Sequence, residues 1–354
     1  MLGISGLAVV GAAAVVALLF ARMPHPNVVD TEIEGAPVVP RGVVHWVRLR
    51  ILNNELEPAP GPFQQQLLVD SSRYSHVEAA NLQNVEFFGQ RGEVLPSWLE
   101  SGNSNLAKHT IYWIKLKNGL PPGKMVSVYM GFAEKDQELL DGVASGEAAG
   151  LSPQYGAYDN GAQIFARYAN FAGTSLPAGW HDDVTPGGEG LVRVGNGVLI
   201  SHEGRGGGSA SLVSDWLVGG DVAEMHLLTQ QTVNGQEMIL VCSESPNAFR
   251  WAPYSVGYQN MSGLEIESNH GGSPSVLAQA RPNPTQTAII GFQGSTLFAN
   301  YQVVAQVQPR ICGGNYLAAS VNTGKYASFS FDWIRMRGQP PAGVMPTTSF
   351  GKLQ

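Results

Sequence analysis

A chain of 354 residues with a net charge of −7, 44% hydrophobic and only 14% charged residues, has room for about two domains. It holds no cluster of cations with which to track a phosphate backbone, which excludes a nucleic-acid partner from the expectation. Its 43 Gly and 22 Pro are dispersed between short apolar runs. That punctuation favours many strands joined by turns over long solvent-exposed helices, whose outer faces carry charge.

In chain order, residues 2–21 read LGISGLAVVGAAAVVALLFA, without a charge or an amide. A helix of that length spans about 30 Å and crosses the hydrocarbon core of a bilayer. No Lys or Arg precedes the run, and Leu19-Phe20-Ala21 makes a poor cleavage site. Residues 1–23 are therefore expected to be an uncleaved transmembrane anchor rather than a removed signal. Arg22 against Asp30, Glu32 and Glu34 leaves the bulk of the chain outside the cell. The segment also resembles the uncharged amino-terminal helices of archaeal type IV pilin-like proteins, which pack as a filament core. Pro24, Pro26, Pro37 and Pro40 mark 24–42 as an extended, semi-stiff stalk.

Residues 43–150 are expected to form a first antiparallel β-sandwich. Val47, Leu49 and Ile51 alternate with Arg48 and Arg50, a period of two with one wet face. Further strands are expected at 63–69, 84–88, 94–95, 110–117 and 125–132, the last two flanking the turn 118–123. Pro60-x-Pro62-Phe63-Gln64-Gln65, Asn84-Val85-Glu86-Phe87-Phe88, Leu95-Pro96-Ser97-Trp98-Leu99-Glu100 and Ile111-Tyr112-Trp113-Ile114-Lys115-Leu116 are similar to a family of β-sandwich domains of unknown function. That family recurs in archaeal and bacterial surface proteins. The resemblance brings no catalytic residues. Trp98, Tyr112, Trp113 and Tyr129 are expected in the core. Tyr112 and Trp113 point to opposite sides of their strand, which makes them candidates for a ligand-stacking surface.

A stretch rich in Gly, Ala and Ser at 146–161 leads into 151–340, where about ten short apolar runs without a helical stretch predict a second sandwich. Asn170-Phe171-x-Gly173-Thr174-x-Leu176 with Trp180, Asn196-Gly197-Val198-Leu199-Ile200 and Phe331-Asp332-Trp333-Ile334-Arg335 resemble the concanavalin A-like jelly roll. Its members include lectin-like modules, glycosidases and structural parts, so the fold alone selects no function. Residues 341–354 are expected as a tail.

The sharpest enzymatic candidate is Glu265-Ile266-Glu267. Alternate residues of a strand share a face about 6.5–7 Å apart, against about 5–5.5 Å between the carboxyls of a retaining glycosidase. Jelly-roll glycosidases resemble this in placing acids at alternate strand positions, but here Ile266 stands between them and Ser268 and Asn269 follow. A solvated strand face is the preferred reading. Asp159, and Asp182 with Asp183 after His181, are loop carboxylates that could hold a calcium ion; polar loop tips compete with that reading, and no other cofactor is implied. His202-Glu203 lacks the second His of a zinc-protease helix, and Gly204 to Gly208 lack the Lys of a phosphate loop. The alternating pairs Arg48/Arg50, Lys115/Lys117 and Arg335/Arg337 read as solvated faces. Cys242 and Cys312 are the whole thiol inventory. They either pair, closing a loop worth about 4 kcal/mol in the chain-entropy model, or stay as two buried thiols.

These readings together predict a non-catalytic, membrane-tethered extracellular surface protein for binding, adhesion or envelope structure. Its expected partners are the membrane, glycans or surface proteins, and copies of itself in a homo-oligomer. The first alternative is a subunit of an extracellular assembly, a pilus-like filament or a virion surface; the second is a glycoside hydrolase.

Overall fold

The computed structural model describes residues 35–203, 208–233, 236–252, 255–260, 264–270, 273–279, 287–293, 296–306, 312–322 and 326–354. For 232–233, 236, 255–260, 264–270, 273–279 and 322 the backbone alone is described. The apolar run 2–21 and the stalk up to residue 34 lie outside these. Among the described residues no helix is long and apolar enough to cross a membrane.

The chain is all-β. The first strands are β1 (Val43–Leu52), β2 (Phe63–Val69), β3 (Val85–Gly89), β4 (Val94–Leu95), β5 (Ser97–Ser101), β6 (Thr110–Leu116), β7 (Met125–Ala133) and β8 (Ser145–Glu147). The short helix α1 (Gly161–Ile164) precedes β9 (Arg167–Ala169), β10 (Trp180–Val184), β11 (Gly190–Val194), β12 (Val198–Glu203), β13 (Ser209–Leu217) and β14 (Val222–Val233). There follow β15 (Gln236–Ser243), β16 (Ser255–Asn260), β17 (Leu264–His270), β18 (Ser273–Gln279), β19 (Ala288–Gln293) and β20 (Thr296–Ala299). The last are β21 (Gln302–Gln306), β22 (Tyr316–Asn322), β23 (Tyr326–Arg337) and β24 (Thr347–Leu353).

Four sheets result. One has five strands in the order β24-β1-β7-β3-β4 and one four in the order β2-β6-β5-β8. The third has seven strands, β10-β13-β22-β15-β16-β17-β18, and the fourth eight, counting β9: β11-β12-β23-β14-β19-β20-β21 with β9 on β23. All pairs are antiparallel except β5 with β8.

Three apolar interfaces stack these sheets into four layers. Val47, Leu49 and Ile51 of β1, all fully buried, meet Tyr112, Ile114 and Leu116 of β6 between the five- and four-stranded sheets. Phe329, Phe331, Ile334 and Met336 of β23 meet Leu212, Leu240 and Leu317 between the eight- and seven-stranded sheets. Between the two pairs, Trp98 and Trp113 pack on Phe165, Ile289 and Trp333. The four-stranded sheet is thus covered on both faces. That explains why β2 buries Gln64 on the face opposite Phe63 and Leu67, while Gln65 lies on the first-core side with them. Gln64 donates to the Ile164 carbonyl at 3.1 Å and accepts from the Gly338 N–H at 3.1 Å, and Gln65 donates to the Pro346 carbonyl at 3.0 Å. A polar group so buried costs little when it is bonded.

Two expectations are corrected. The segment 341–354 is not a tail. After β23, the chain crosses back and β24 pairs with β1 from Thr347↔Leu52 to Leu353↔Val47, while Met345, Phe350 and Leu353 pack on the first core. The second pair of sheets is therefore inserted between two strands of the first. Nor does the end of 24–42 hang as a free stalk. Pro37 is buried, the Val38 N–H donates to the Gln90 carbonyl at 3.0 Å, and the Gln90 amide donates to Gly35 and Ala36. At Gly92, with φ of +82°, a Cβ would come within 2.9 Å of the Val38 carbonyl oxygen, so this contact requires glycine there.

Cys242 and Cys312 form a disulfide within the second core, with Cα atoms 5.5 Å apart.

Truncation of the chain before Thr347 removes the edge of the first sheet and the apolar cover of Phe350 and Leu353. It is expected to lower stability by about 3 kcal/mol, measured as the shift in the urea midpoint, whereas removing a disordered tail would leave that midpoint unchanged.

Candidate functional site

The densest gathering of polar chemistry lies where the two sandwiches meet. On β5, Leu99 turns into the first core, so Trp98 and Glu100 turn out of it towards the second sandwich; on β6 the same alternation sends Tyr112 inward and Trp113 outward. On β23 the inward residues Ile334 and Met336 leave Trp333, Arg335 and Arg337 facing the first sandwich, with Glu224 of β14 opposite Arg335.

Arg335 is fully buried. Its Nε donates to Glu224 Oε2 and its Nη2 to the Tyr301 hydroxyl at 2.8 Å. Its Nη1 lies 2.7 Å from Glu100 Oε2 across the junction, an ion pair whose angle falls outside hydrogen-bond geometry. Arg337 donates through Nη2 to Glu224 Oε1 at 2.8 Å. The Tyr301 hydroxyl and Trp113 Nε1 both donate to Glu100, at 2.7 and 2.8 Å. The Arg335 guanidinium sits 4.5 Å from the ring centres of Trp113 and Phe165 and 4.6 Å from that of Trp333, in cation–π range.

Two arginines therefore face two glutamates, and the cluster is neutral. Burial alone would raise the Glu224 carboxyl, but Arg335 and Arg337 hold it below its ordinary value. Burial likewise opposes the charge on Arg335, and Glu224, Tyr301 and Glu100 overcome it and raise its pKa. Burial drives the Tyr301 hydroxyl well up, keeping it a donor. Each charged side chain is paired with another, while among the described residues Arg335 Nη1, Arg337 Nη1 and Trp333 Nε1 are buried without a hydrogen-bond acceptor.

Beside it lies an arrangement that the sequence did not announce. His226 of β14 pairs with Trp333 in register and Leu227 with Phe331, leaving Asp332 as an extra residue. This bulge turns Asp332 and Trp333 out of the second core together. Asp332 Oδ1 then lies 2.8 Å from His226 Nδ1, with 24% of the His side chain exposed, and the imidazole stacks on Trp333 at 5.3 Å. A carboxylate on Nδ1 orients an imidazole as it does in general-base sites. The neighbouring hydroxyls, Thr229 and Ser330, bond to each other at 2.6 Å.

The candidate residues fare as follows. Tyr112 and Trp113 are both buried, at 4% and 0% exposure; neither offers a stacking platform, because the sheet that carries them is covered on both sides. Asp159 is no free loop carboxylate. Its Oδ1 accepts from Trp98 Nε1 and the Gly161 N–H, both at 2.9 Å, and its Oδ2 from Tyr168 and Asn170, both at 2.7 Å. Burial raises its pKa against those four bonds. Asp182 and Asp183 lie on strand β10, so their side chains point to opposite faces and do not converge; Asp183 accepts from the Phe249 N–H at 2.9 Å. Among the described residues no group of three or more His, Cys, Asp or Glu is placed to hold a metal ion. Glu265 and Glu267 lie on β17, opposite Gln259 and Gly257 of β16; their side chains lie outside the described residues. Arg335 and Arg337 are buried instead of solvated, since both sides of their strand are packed.

No family model matches the chain. Over 124 residues, 34% of its length, it is 33% identical to uncharacterized protein 562 of Sulfolobus islandicus rod-shaped virus 1. It spans about a fifth (21%) of that protein. Solved structures similar to it include LamAcat from Zobellia galactanivorans, at 12% identity and TM-score 0.38 over 49% of this chain and 97% of that one. The laminarinase of Rhodothermus marinus shows 14% identity, TM-score 0.38, and 49% and 97% coverage. The Bacillus licheniformis β-glucanase shows 9% identity and TM-score 0.37 over 48% and 97%. At such TM-scores the likeness carries no argument about chemistry.

Two outcomes follow from the buried charges. Replacing Arg335 by Met leaves Glu100 without its cation in the interior and Glu224 with Arg337 alone, and is expected to destabilise by about 3–5 kcal/mol in chemical denaturation. Glu78 is fully buried, and burial pushes its carboxyl up to about 8 against a nearby Ser71 hydroxyl that does not reach bonding geometry. The folded state thus keeps a proton that the unfolded state loses near its ordinary carboxylate range. The stabilisation is complete below that range and is lost as pH rises towards 8. Glu78→Gln is expected to abolish this alkaline loss, roughly 3 kcal/mol, in melts compared at pH 5 and pH 8.5.

Proposed function

We propose that this chain is a non-catalytic, extracellular surface protein, tethered by its apolar amino-terminal run, that presents the two joined sandwiches as one rigid body for binding or envelope packing. The observation that carries the reading is the junction itself. Interfaces between domains are common places for ligand clefts, yet here the space is filled by four charged side chains paired with one another and by a cage of aromatics. Inter-domain contacts that must open are usually more polar and less packed. The disulfide in the second core suits an oxidising compartment.

One finding favours a second reading, in which the body is a subunit of a virion surface or another extracellular assembly: the curated relative is a viral protein. A glycosidase remains a third reading resting on Glu265 and Glu267. Glycan-array binding together with a β-glucan hydrolysis assay separates these. The proposed role predicts no turnover. Sustained β-glucan cleavage that is lost in Glu265→Gln would sink it, and sedimenting polymers that survive detergent would replace it with the assembly reading.

A further inference from the structure

The first sandwich is open at one end. Between the β3–β4 turn, the end of β6 and the start of β7 lies a groove of about 800 Å³, within the range of about 300–1,000 Å³ common to small-ligand sites. Leu95, Leu116, Val126 and Val128 line it and belong to the first core or pack on it. Register places them on the inner faces of the two sheets. Val126 pairs with Ile51 and Val128 with Leu49, Leu95 with Phe87 and Leu116 with Phe63, and residues paired across two strands share a face. The floor of the groove is therefore the end of the apolar core itself, left half-buried at Leu95 and Val126.

The rim reverses the sign of the whole chain. Arg91, Lys115 and Lys117 stand on it against one acid, Glu93, in a protein of net charge −7. Glu93 is folded back on its own turn. Its carboxylate accepts from the Arg91 backbone N–H at 3.1 Å and lies over Gly89, where the missing Cβ leaves it room. The Lys115 ammonium is held by the Gln163 carbonyl at 2.6 Å. Arg91 and Lys117 are exposed, and among the described residues no carboxylate pairs with either side chain. Two cations thus stand free at the mouth of an apolar groove.

We propose that this groove binds a long-chain carboxylate, its alkyl chain laid on Leu95, Leu116, Val126 and Val128 and its head group held at the mouth by Arg91 and Lys117. The floor alone would accept any alkyl chain, because apolar burial is not directional. The rim makes the selection. A guanidinium presents a planar fork that matches a carboxylate, and bonds between two ions are about twice as strong as neutral ones. A neutral head group gains only the weaker bonds, and a cationic one is repelled. The site is built from the first sandwich alone. It goes beyond the surface-protein reading and does not rest on it.

Photolabelling of the full-length protein with a diazirine-bearing dodecanoate, in non-ionic detergent at pH 8, tests this when adducts are mapped by peptide mass spectrometry. The apolar run 2–21 attracts any alkyl probe, and mapping separates its adducts from those of the groove. Groove adducts are expected in 94–96, 116–119 and 125–128, and excess unlabelled dodecanoate is expected to remove them. Their yield should fall about tenfold when the probe is the alcohol of the same chain length, which keeps the floor contact and loses the ionic bonds. A similar fall is expected in the double variant Arg91→Glu, Lys117→Glu, whose two positions are exposed; the alcohol comparison uses the unaltered protein and is independent of how that variant folds. Adducts confined to 2–21 or scattered over the surface would overturn the proposal. Equal labelling of the groove by acid and alcohol would overturn it too, since the rim would then select nothing.

Discussion

The architecture depends on one buried guanidinium. Arg335 belongs to the second sandwich, yet its charge is balanced partly by Glu100 of the first and its faces are covered by rings from both. A charge in such a place is tolerable only when it is paired and fully surrounded. Neither sandwich alone provides that, because Glu224 and Trp333 come from one and Glu100 and Trp113 from the other. The electrostatic requirement therefore couples the two cores more tightly than apolar contact would. It also fixes their registry, since a slip of one residue on β23 would place Met336 or Ile334 against Glu224.

From this coupling the layer order follows. Although Leu68 is exposed, the outer face of the four-stranded sheet is covered around Trp98, Trp113 and Gln64, which accounts for its Trp, Gln and Glu residues at positions that would otherwise face water. The bulge at Asp332 serves the same junction, turning Trp333 towards Trp98, 5.5 Å away, and placing Asp332 on His226. The most enzyme-like pair in the described structure thus arises beside a packing device, and Trp333 serves both.

Much of the fold was legible from alternation. Val47, Leu49 and Ile51 against Arg48 and Arg50 marked β1 and its inward face, and the all-β class followed from turn residues between such runs. What escaped did so for physical reasons. β22 reads Tyr-Leu-Ala-Ala-Ser-Val-Asn, with small residues on both faces, and β24 reads Thr-Thr-Ser-Phe-Gly-Lys-Leu; neither alternates strongly enough to stand out from a loop. The junction escaped because period two reveals which residues share a face and not what covers that face. Arg335 and Arg337 alternate as a solvated pair would, and only the arrival of a second sheet buries them. The single acids Glu100 and Glu224, set among apolar neighbours, were the available hint. Asp159 was misread for the converse reason: its four donors come from Trp98, Gly161, Tyr168 and Asn170, of which only Gly161 is close in sequence.

Because the closing strand lies against β1, the backbone of Gln354 exchanges hydrogen bonds with that of Trp46, at 2.9 and 3.3 Å. Entry to and exit from the folded body are side by side, and everything from β2 to β23 is a closed excursion between them. A peptide appended after Gln354 would emerge beside Trp46 of β1. A label or fusion partner meant to report from the far end has to be set into a turn of the inserted pair of sheets.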